Sequence, residues 1–206
     1  MLHNNCKARF FLAAVLLLTG VGSQAAPGDW YVGLGYGLTS YDTGISNTTG
    51  TASLDEDDSG FKLFGGYNFN KNVAIELAYA DLGKATLSGN PGDTFVLDGI
   101  LFAFINSGSL DIEGSLLSLA GVFTHHFNDA FNLYGRLGLA SWEADITANV
   151  SGGPAQSASE DGTDLFLGFG AGWNFAKTWA VKAEYELYSF DEEDVDMLSL
   201  NIVKTF

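Results

Sequence analysis

The chain has 206 residues, of which 47% are apolar and only 17% charged, the profile of a folded chain of one domain or two small ones and not of a disordered one. Its 25 Asp and Glu against 9 Lys and Arg give a net charge of −16, which argues against nucleic acid as a partner, because a phosphate backbone needs a basic surface. No apolar stretch is long enough for a helical membrane span, although that leaves a membrane barrel open. With 26 Gly, 3 Pro and 14% aromatic residues, the composition points to sheet.

Residues 1–25 read as a secretory signal peptide. Lys7 and Arg9 supply the positive start, Phe10–Leu18 is a nine-residue apolar run, and Ser23-Gln24-Ala25 offers small residues for cleavage after Ala25. The mature domain is then 26–206. Cys6, the single cysteine, leaves with the leader, so no disulfide and no thiolate metal site is expected. Two of the nine basic residues leave as well; seven then face 25 acids, a net charge of −18.

From Trp30 onwards the chain alternates with period two in segments of about ten residues. Eight strands are expected: Trp30–Tyr41, Gly60–Phe69, Val73–Leu82, Ile112–Phe127, Phe131–Asp145, Asp164–Phe175, Trp179–Phe190 and Val195–Phe206. In the third, Val73, Ile75, Leu77 and Tyr79 alternate with Ala74, Glu76, Ala78 and Ala80. In the sixth, Leu165, Leu167, Phe169 and Trp173 alternate with Phe166, Gly168, Gly170 and Asn174.

The second set decides which face is inside. It is largely Gly, Ala, Ser and Asn, a poor solvated surface but a good filling for a narrow lumen. The first set is bulky, with aromatics at its ends, as a lipid-facing belt should be. Only helices and closed barrels satisfy every backbone group in lipid, so the expected fold is all-β: an eight-stranded antiparallel up-and-down transmembrane barrel. A soluble barrel with the apolar set inside is the alternative.

Connection lengths agree. Asn70-Lys71-Asn72, Asn128-Asp129-Ala130 and Ala176-Lys177-Thr178 are short turns, while 42–59, 83–111 and 146–163 are long and 191–194 is short. Short periplasmic turns and longer extracellular loops are the bacterial outer-membrane arrangement. A weak repeat marks the hairpins: Gly66-Tyr67-Asn68-Phe69 with Lys71 matches Gly172-Trp173-Asn174-Phe175 with Lys177. Phe69, Phe127, Phe175, Trp173, Trp179 and Phe206 cluster at the turn end as an aromatic girdle.

These residues carry a family resemblance. Ala26-Pro27-Gly28-Asp29-Trp30-Tyr31-Val32-Gly33 resembles the opening of the eight-stranded transmembrane domain of the outer-membrane protein A family. So does Phe61–Phe69 running into Ala74–Tyr79 and Asp81-Leu82-Gly83-Lys84, and the similarity extends over essentially the whole mature chain. It implies outer-membrane localisation, with lipid, lipopolysaccharide and the barrel-assembly machinery as partners. Phe206 resembles the terminal assembly signal of such barrels; Lys204 departs from that pattern, and a Lys near the interface can snorkel. Family members with a second domain continue into a peptidoglycan-binding region, whose function is not expected of this chain.

No enzyme and no cofactor are expected. His125 and His126 are adjacent, so alternation sends one to lipid and the other to the lumen, a poor geometry for a shared metal or base. No nucleophile elbow and no phosphate loop are present. The acidic runs Asp55–Asp58, Glu160-Asp161 and Asp191–Asp194 read as solvated outer-loop surface, with weak divalent-cation binding as the alternative. The apolar run Phe95–Ile105 has three open placements: wall extension, cover over the mouth, or exposed adhesive patch.

The inward parity also carries charge: Lys62, Arg136 and Lys182 with Glu76, Glu184 and Glu186. Isolated charges in a narrow lumen are costly, but paired ones persist, especially a planar Arg forked onto a carboxylate. Arg136 is expected to pair with Glu76 or Glu184, and Lys62 and Lys182 to complete a network that resembles the charged interior gate of the family. The expected function is a structural outer-membrane barrel, monomeric, with acidic loops and a charge-plugged lumen. The alternatives are a narrow channel for small solutes or ions and a soluble periplasmic ligand-binding barrel.

Overall fold

A computed structural model of the chain describes residues 28–97, 99–189 and 194–206. The expected leader with Cys6, Phe190 and the acids Asp191, Glu192 and Glu193 lie outside the described residues. Twelve strands are described: β1 (Trp30–Asp42), β2 (Ile45–Ser46), β3 (Ser53–Asp55), β4 (Asp57–Asn70), β5 (Val73–Gly89), β6 (Thr94–Leu97), β7 (Ile100–Ala103), β8 (Gly108–His126), β9 (Phe131–Val150), β10 (Gln156–Ala176), β11 (Trp179–Ser189) and β12 (Asp194–Thr205).

Eight of them, β1, β4, β5, β8, β9, β10, β11 and β12, form one antiparallel wall in chain order, and β5–β8 and β1–β12 pairing close it. The closing seam runs from Tyr31 opposite Thr205 to Asp42 opposite Asp194. Within the belt every wall strand is paired on both sides, which satisfies the backbone in a medium without water. All eight expected strands are present.

The alternation sets the faces as the side-chain sizes require. Trp30, Val32, Leu34, Tyr36 and Leu38 point out and are exposed, while Tyr31, Thr39 and Tyr41 point in and are buried. An exposed set this apolar on every wall strand is a lipid-facing belt. Inside, Gly takes positions where another strand's side chain fills the space. A Cβ on Gly33 would overlap the Phe64 ring, and one on Gly66 the Tyr31 ring.

Above the belt the two faces exchange character. On β9 the outward series Leu133, Leu137, Leu139 gives way to Ser141, Glu143, Asp145, Thr147, while the inward series becomes Trp142, Ala144, Ile146. The same change falls between Leu117 and Ser115 on β8, Leu165 and Thr163 on β10, and Leu198 and Asp196 on β12. The registers Leu117↔Ser141 and Leu139↔Leu165 put these transitions side by side. The upper edge of the belt is therefore a continuous ring.

The strands overrun their expected ends at this side. β8, β9 and β10 have 19, 20 and 21 residues, against 11 and 12 for β11 and β12, so part of the wall stands well above the rest. The expected long loop 146–163 is a correction: most of it is strand, paired from Gln156↔Ala148 downwards. Its small and polar residues have low strand propensity, and pairing to β8 and β9 overrides it. The acidic runs are corrected in the same way, since Asp57 and Asp58 open β4 and Glu160 and Asp161 sit within β10.

The apolar run 95–105 does not extend the wall. It folds as the β6–β7 hairpin, to which β2 adds a third strand. Phe95 stacks on Phe102 at 5.5 Å and meets Phe104 at 5.4 Å. The Phe104 ring occupies the space a side chain at Gly89 would need, which ties the hairpin to the inner face of β5, while Ile100, Leu101 and Ile105 remain exposed.

At the opposite end the sequence repeat has a structural meaning. Asn68 and Asn174 each precede a register shift, and each side-chain amide donates to a neighbouring segment's carbonyl, Asp29 O at 3.1 Å and Asp129 O at 2.9 Å. Asn70 and Asn128 close their turns by accepting from the backbone N–H two and three residues ahead, at 2.8 to 3.0 Å. This is the Asx geometry that makes Asn a turn residue.

Candidate functional site

The lumen is where charged side chains meet. The inward parity of β4, β5, β9 and β11 carries Lys62, Glu76, Arg136, Glu184 and Glu186, all at most 5% exposed. Arg136 sits among three carboxylates: its Nη2 is 2.7 Å from Glu76 Oε1, its Nη1 donates to Glu184 Oε1 at 2.9 Å, and it also bonds Glu186. Lys62 donates to Glu186 Oε2 at 2.5 Å and to Glu184. Each member thus has an opposite charge, the condition under which a buried ionic group persists.

Lys182, the sixth residue of the expected network, stands apart. It lies two residues nearer the short turns than Glu184, and among the described residues it makes no ion pair. Its Nζ sits 4.7 Å from the Tyr134 ring centre and 5.2 Å from that of Tyr31, where aromatic faces replace carboxylates as its partners. Tyr31 also donates to Glu76 Oε2 at 2.7 Å. That link was not read from the sequence, although Tyr31 stands on the inward parity of its strand and was available to it.

Apolar clusters bound the charges on both sides. Along β9 the inward order from the short turns is Tyr134, Arg136, Ala140, and along β11 it is Glu184, Glu186, Tyr188. Tyr31, Phe64, Val122 and Tyr134 pack together on the turn side. Tyr41, Leu82, Leu116, Phe166, Tyr188 and Met197 pack on the other. Phe166 stacks on Tyr188 at 5.3 Å and also lies 5.4 Å from the Arg136 guanidinium.

The remaining candidates are dispersed. His125 is exposed beside Phe127, and His126 faces inward with Nε2 2.8 Å from Lys71 O, so the two rings do not share a site. Among the described residues no three His, Asp or Glu side chains gather as a metal centre. Glu56 and Asp58 are engaged in local bonds, Glu56 accepting from Thr43 Oγ1 at 2.7 Å and Asp58 from Lys84 N at 2.9 Å. Phe206 donates its backbone N–H to Trp30 O at 2.9 Å, and its ring is 69% exposed at the girdle. Lys204 bonds Thr178 Oγ1 at 2.7 Å and covers the Trp179 ring.

A closed antiparallel barrel of eight strands, wrapped in an apolar belt with an aromatic girdle at its short-turn end, is an outer-membrane β-barrel. The soluble ligand-binding alternative is set aside, because the face it would wet is Leu, Phe and Trp. Residues 25–195 match the model of the OmpA-like transmembrane domain family, and the chain belongs to that family, as the resemblance of its strand motifs implied. It is 30% identical over 185 residues to outer membrane protein A of Yersinia pseudotuberculosis serotype I, covering 87% of this chain and 47% of that protein. The outer membrane protein A of Shigella flexneri is 29% identical over 183 residues with the same coverage. The chain therefore spans about half the length of the curated relatives it matches. Among solved structures, the attachment invasion locus protein Ail of Yersinia pestis aligns with a TM-score of 0.56 at 21% identity, over 87% of this chain and 99% of that one. OprG of Pseudomonas aeruginosa aligns with a TM-score of 0.56 at 14% identity, over 87% and 96%; these two likenesses concern the fold. The protein is thus an outer-membrane β-barrel protein.

Proposed function

We propose that this protein is a structural barrel of the outer membrane whose lumen is plugged by the Arg136 charge network and whose acidic end faces outwards. The observation that carries this reading is the grouping of Arg136 with Glu76, Glu184 and Glu186 between two apolar clusters. Breaking a buried pair leaves an uncompensated charge at a cost of about 3–5 kcal/mol. Arg136→Ala should therefore lower unfolding stability in detergent by that order and raise single-channel conductance in planar bilayers. Wild-type values of both would reject the plug.

A second reading, a narrow channel for small ions, is favoured by one observation. A polar vestibule of about 840 Å³ opens at the short turns and reaches inward to Lys182 and Tyr31, so the charged layer, with the apolar cluster on either side of it, separates this vestibule from the other mouth. Frequent wild-type openings would favour this reading.

The partners of the structural reading are membrane lipid, lipopolysaccharide and the barrel-assembly machinery, with weak divalent-cation contacts at the acidic surface and a monomeric state. Phe206 is the proposed assembly signal. Its deletion should leave the protein unassembled and protease-sensitive in cells while detergent refolding still succeeds; failure of both would assign it to barrel closure instead. For orientation, a unique cysteine at Asp57 should label on intact cells and one at Lys177 should not.

A further inference from the structure

The vestibule at the short turns changes character with depth. At its rim the polar side chains are committed to the turns: Asn68 donates to Asp29 O, Asn174 donates to Asp129 O, and His126 Nε2 lies 2.8 Å from Lys71 O. Further in, Asn132 is only 7% exposed and lines the vestibule, yet among the described residues its side-chain amide makes no hydrogen bond. Lys182 lines the vestibule as well, and its partners are the Tyr31 and Tyr134 rings. The inward carboxylate beside Tyr31, that of Glu76, is taken by Arg136 and the Tyr31 hydroxyl.

Glycine brings the amide and the ammonium to one place. Asn132 and Lys182 are the register partners of Gly172 on its two sides. A Cβ at Gly172 would come within 2.6 Å of the Asn132 amide, so the amide lies over the bare strand, on the side of Lys182. One inward position deeper, Gly170 is covered by Tyr134 in the same way, and the Lys182 Nζ is 4.7 Å from the centre of that ring. The two groups therefore flank a single strip of β10, and all of these residues stand within the wall strands β9, β10 and β11. Three Lys against two Asp line the vestibule, in a chain whose net charge is −16. An ammonium and an amide N–H beside each other suit a carboxylate, which offers two oxygens to two donors and makes the stronger, charge-assisted kind of bond.

We propose that the inner end of this vestibule binds small organic carboxylates that enter from the short-turn side. One oxygen accepts from the Lys182 ammonium and the other from the Asn132 amide, while the organic body lies beside Ala74, Val122 and Ala180. The site does not depend on whether the lumen conducts, because no member of the Arg136 network lines the vestibule.

The test uses the full barrel, labelled with nitrogen-15, refolded in a maltoside detergent and titrated with benzoate. Benzamide and benzylammonium serve as neutral and cationic comparisons. Benzoate should move the Asn132 side-chain amide and Gly172 backbone signals saturably, benzamide should bind more weakly, and benzylammonium should leave both signals in place. Lys182→Met keeps the length of the side chain and removes one charge-assisted hydrogen bond, so it should weaken benzoate about tenfold and leave benzamide unchanged. Asn132→Asp sets a like charge against the ligand and should weaken benzoate at least as much, read on the Gly172 signal. Equal binding of benzoate and benzamide to the unaltered barrel, a comparison that needs neither variant, would overturn anion recognition. Absence of saturable shifts at Asn132 and Gly172, or benzoate binding unchanged by either variant, would overturn the site.

Discussion

Two regions of the same wall use the same alternation in opposite senses. Within the belt, β9 shows Leu133, Leu137 and Leu139 to the outside and Arg136 to the inside; higher up, it shows Glu143, Asp145 and Thr147 to the outside and Ala144 and Ile146 to the inside. Nothing in the backbone changes between them, since the β8–β9 and β9–β10 registers continue unbroken. The surrounding medium differs. Below the ring the outside is lipid, so apolar groups go out and polar ones must pair within the lumen; above it the outside is water, and the apolar set turns inward. Period two fixes only that successive side chains oppose one another, and the inside is wherever the outside medium is not.

The largest effect should come from placing a charge in the belt. Leu77, in the middle of the outward series of β5, is 52% exposed, and Leu77→Arg should destabilise the refolded barrel by about 2–4 kcal/mol, the cost of Arg near the bilayer midplane. Thr147→Arg, outward on the projecting part of β9, should change stability by less than about 0.5 kcal/mol, as solvent-facing substitutions do. Urea unfolding in lipid vesicles checks both. Similar costs at the two sites would mean the belt does not end at the ring.

A smaller effect separates the inner from the outer face of one strand. A Cβ on Gly138 would press into the Leu119 carbonyl and come within 2.7 Å of Ala120 Cα. Both are backbone atoms that cannot swing aside. On outward-facing Gly135 the nearest atom would be the Gly168 carbonyl at 3.9 Å. Gly138→Ala should therefore cost about 1–3 kcal/mol as overpacking, while Gly135→Ala should be near neutral. Equal responses in the same unfolding assay would remove sterics as the reason for glycine inside this wall.

The comparison also explains what could be read from the sequence. The eight wall strands, their faces and the inward charges were legible because lipid demands bulky outward side chains, and Leu and Phe at every second position are unambiguous. The upper extensions were not legible: Thr147, Asn149, Ser157 and Ser159 look like loop residues, and only pairing to β8 and β9 makes them strand. Parity alone puts Lys182 and Arg136 on one face, but parity carries no height. Because neighbouring strands are staggered, Glu184 and Glu186 meet Arg136 while Lys182 meets Tyr31 and Tyr134. The hydrogen bond from Trp142 Nε1 to Asp164 Oδ2 was hidden for the same reason, being a contact between adjacent strands whose register the sequence did not specify.

The smallest expected effect concerns a charge outside the membrane, where pairing is local. Asp93, in the connection between β5 and β6, accepts from Thr51 Oγ1 at 2.7 Å, Thr51 N at 3.0 Å and Asn90 N at 2.8 Å. The Thr51 hydroxyl first, then these two backbone N–H groups, favour the ionised carboxylate and hold its pKa below the ordinary 3.8. Because the folded value is depressed, the stabilisation is fully present above the unfolded value and is lost as pH falls through the lowered folded one. A carboxyl carbon titration by nuclear magnetic resonance should give Asp93 a midpoint below 3.8, with the Thr51 and Asn90 amide signals moving at the same pH. Asp93→Asn should abolish that shared step and leave the belt and the lumen unperturbed, because the bonds it removes join only the segments around Thr51 and Asn90. A midpoint at or above the ordinary value would show that these three donors do not hold the carboxylate in solution, and that the connection is organised by Phe95, Phe102 and Phe104 alone.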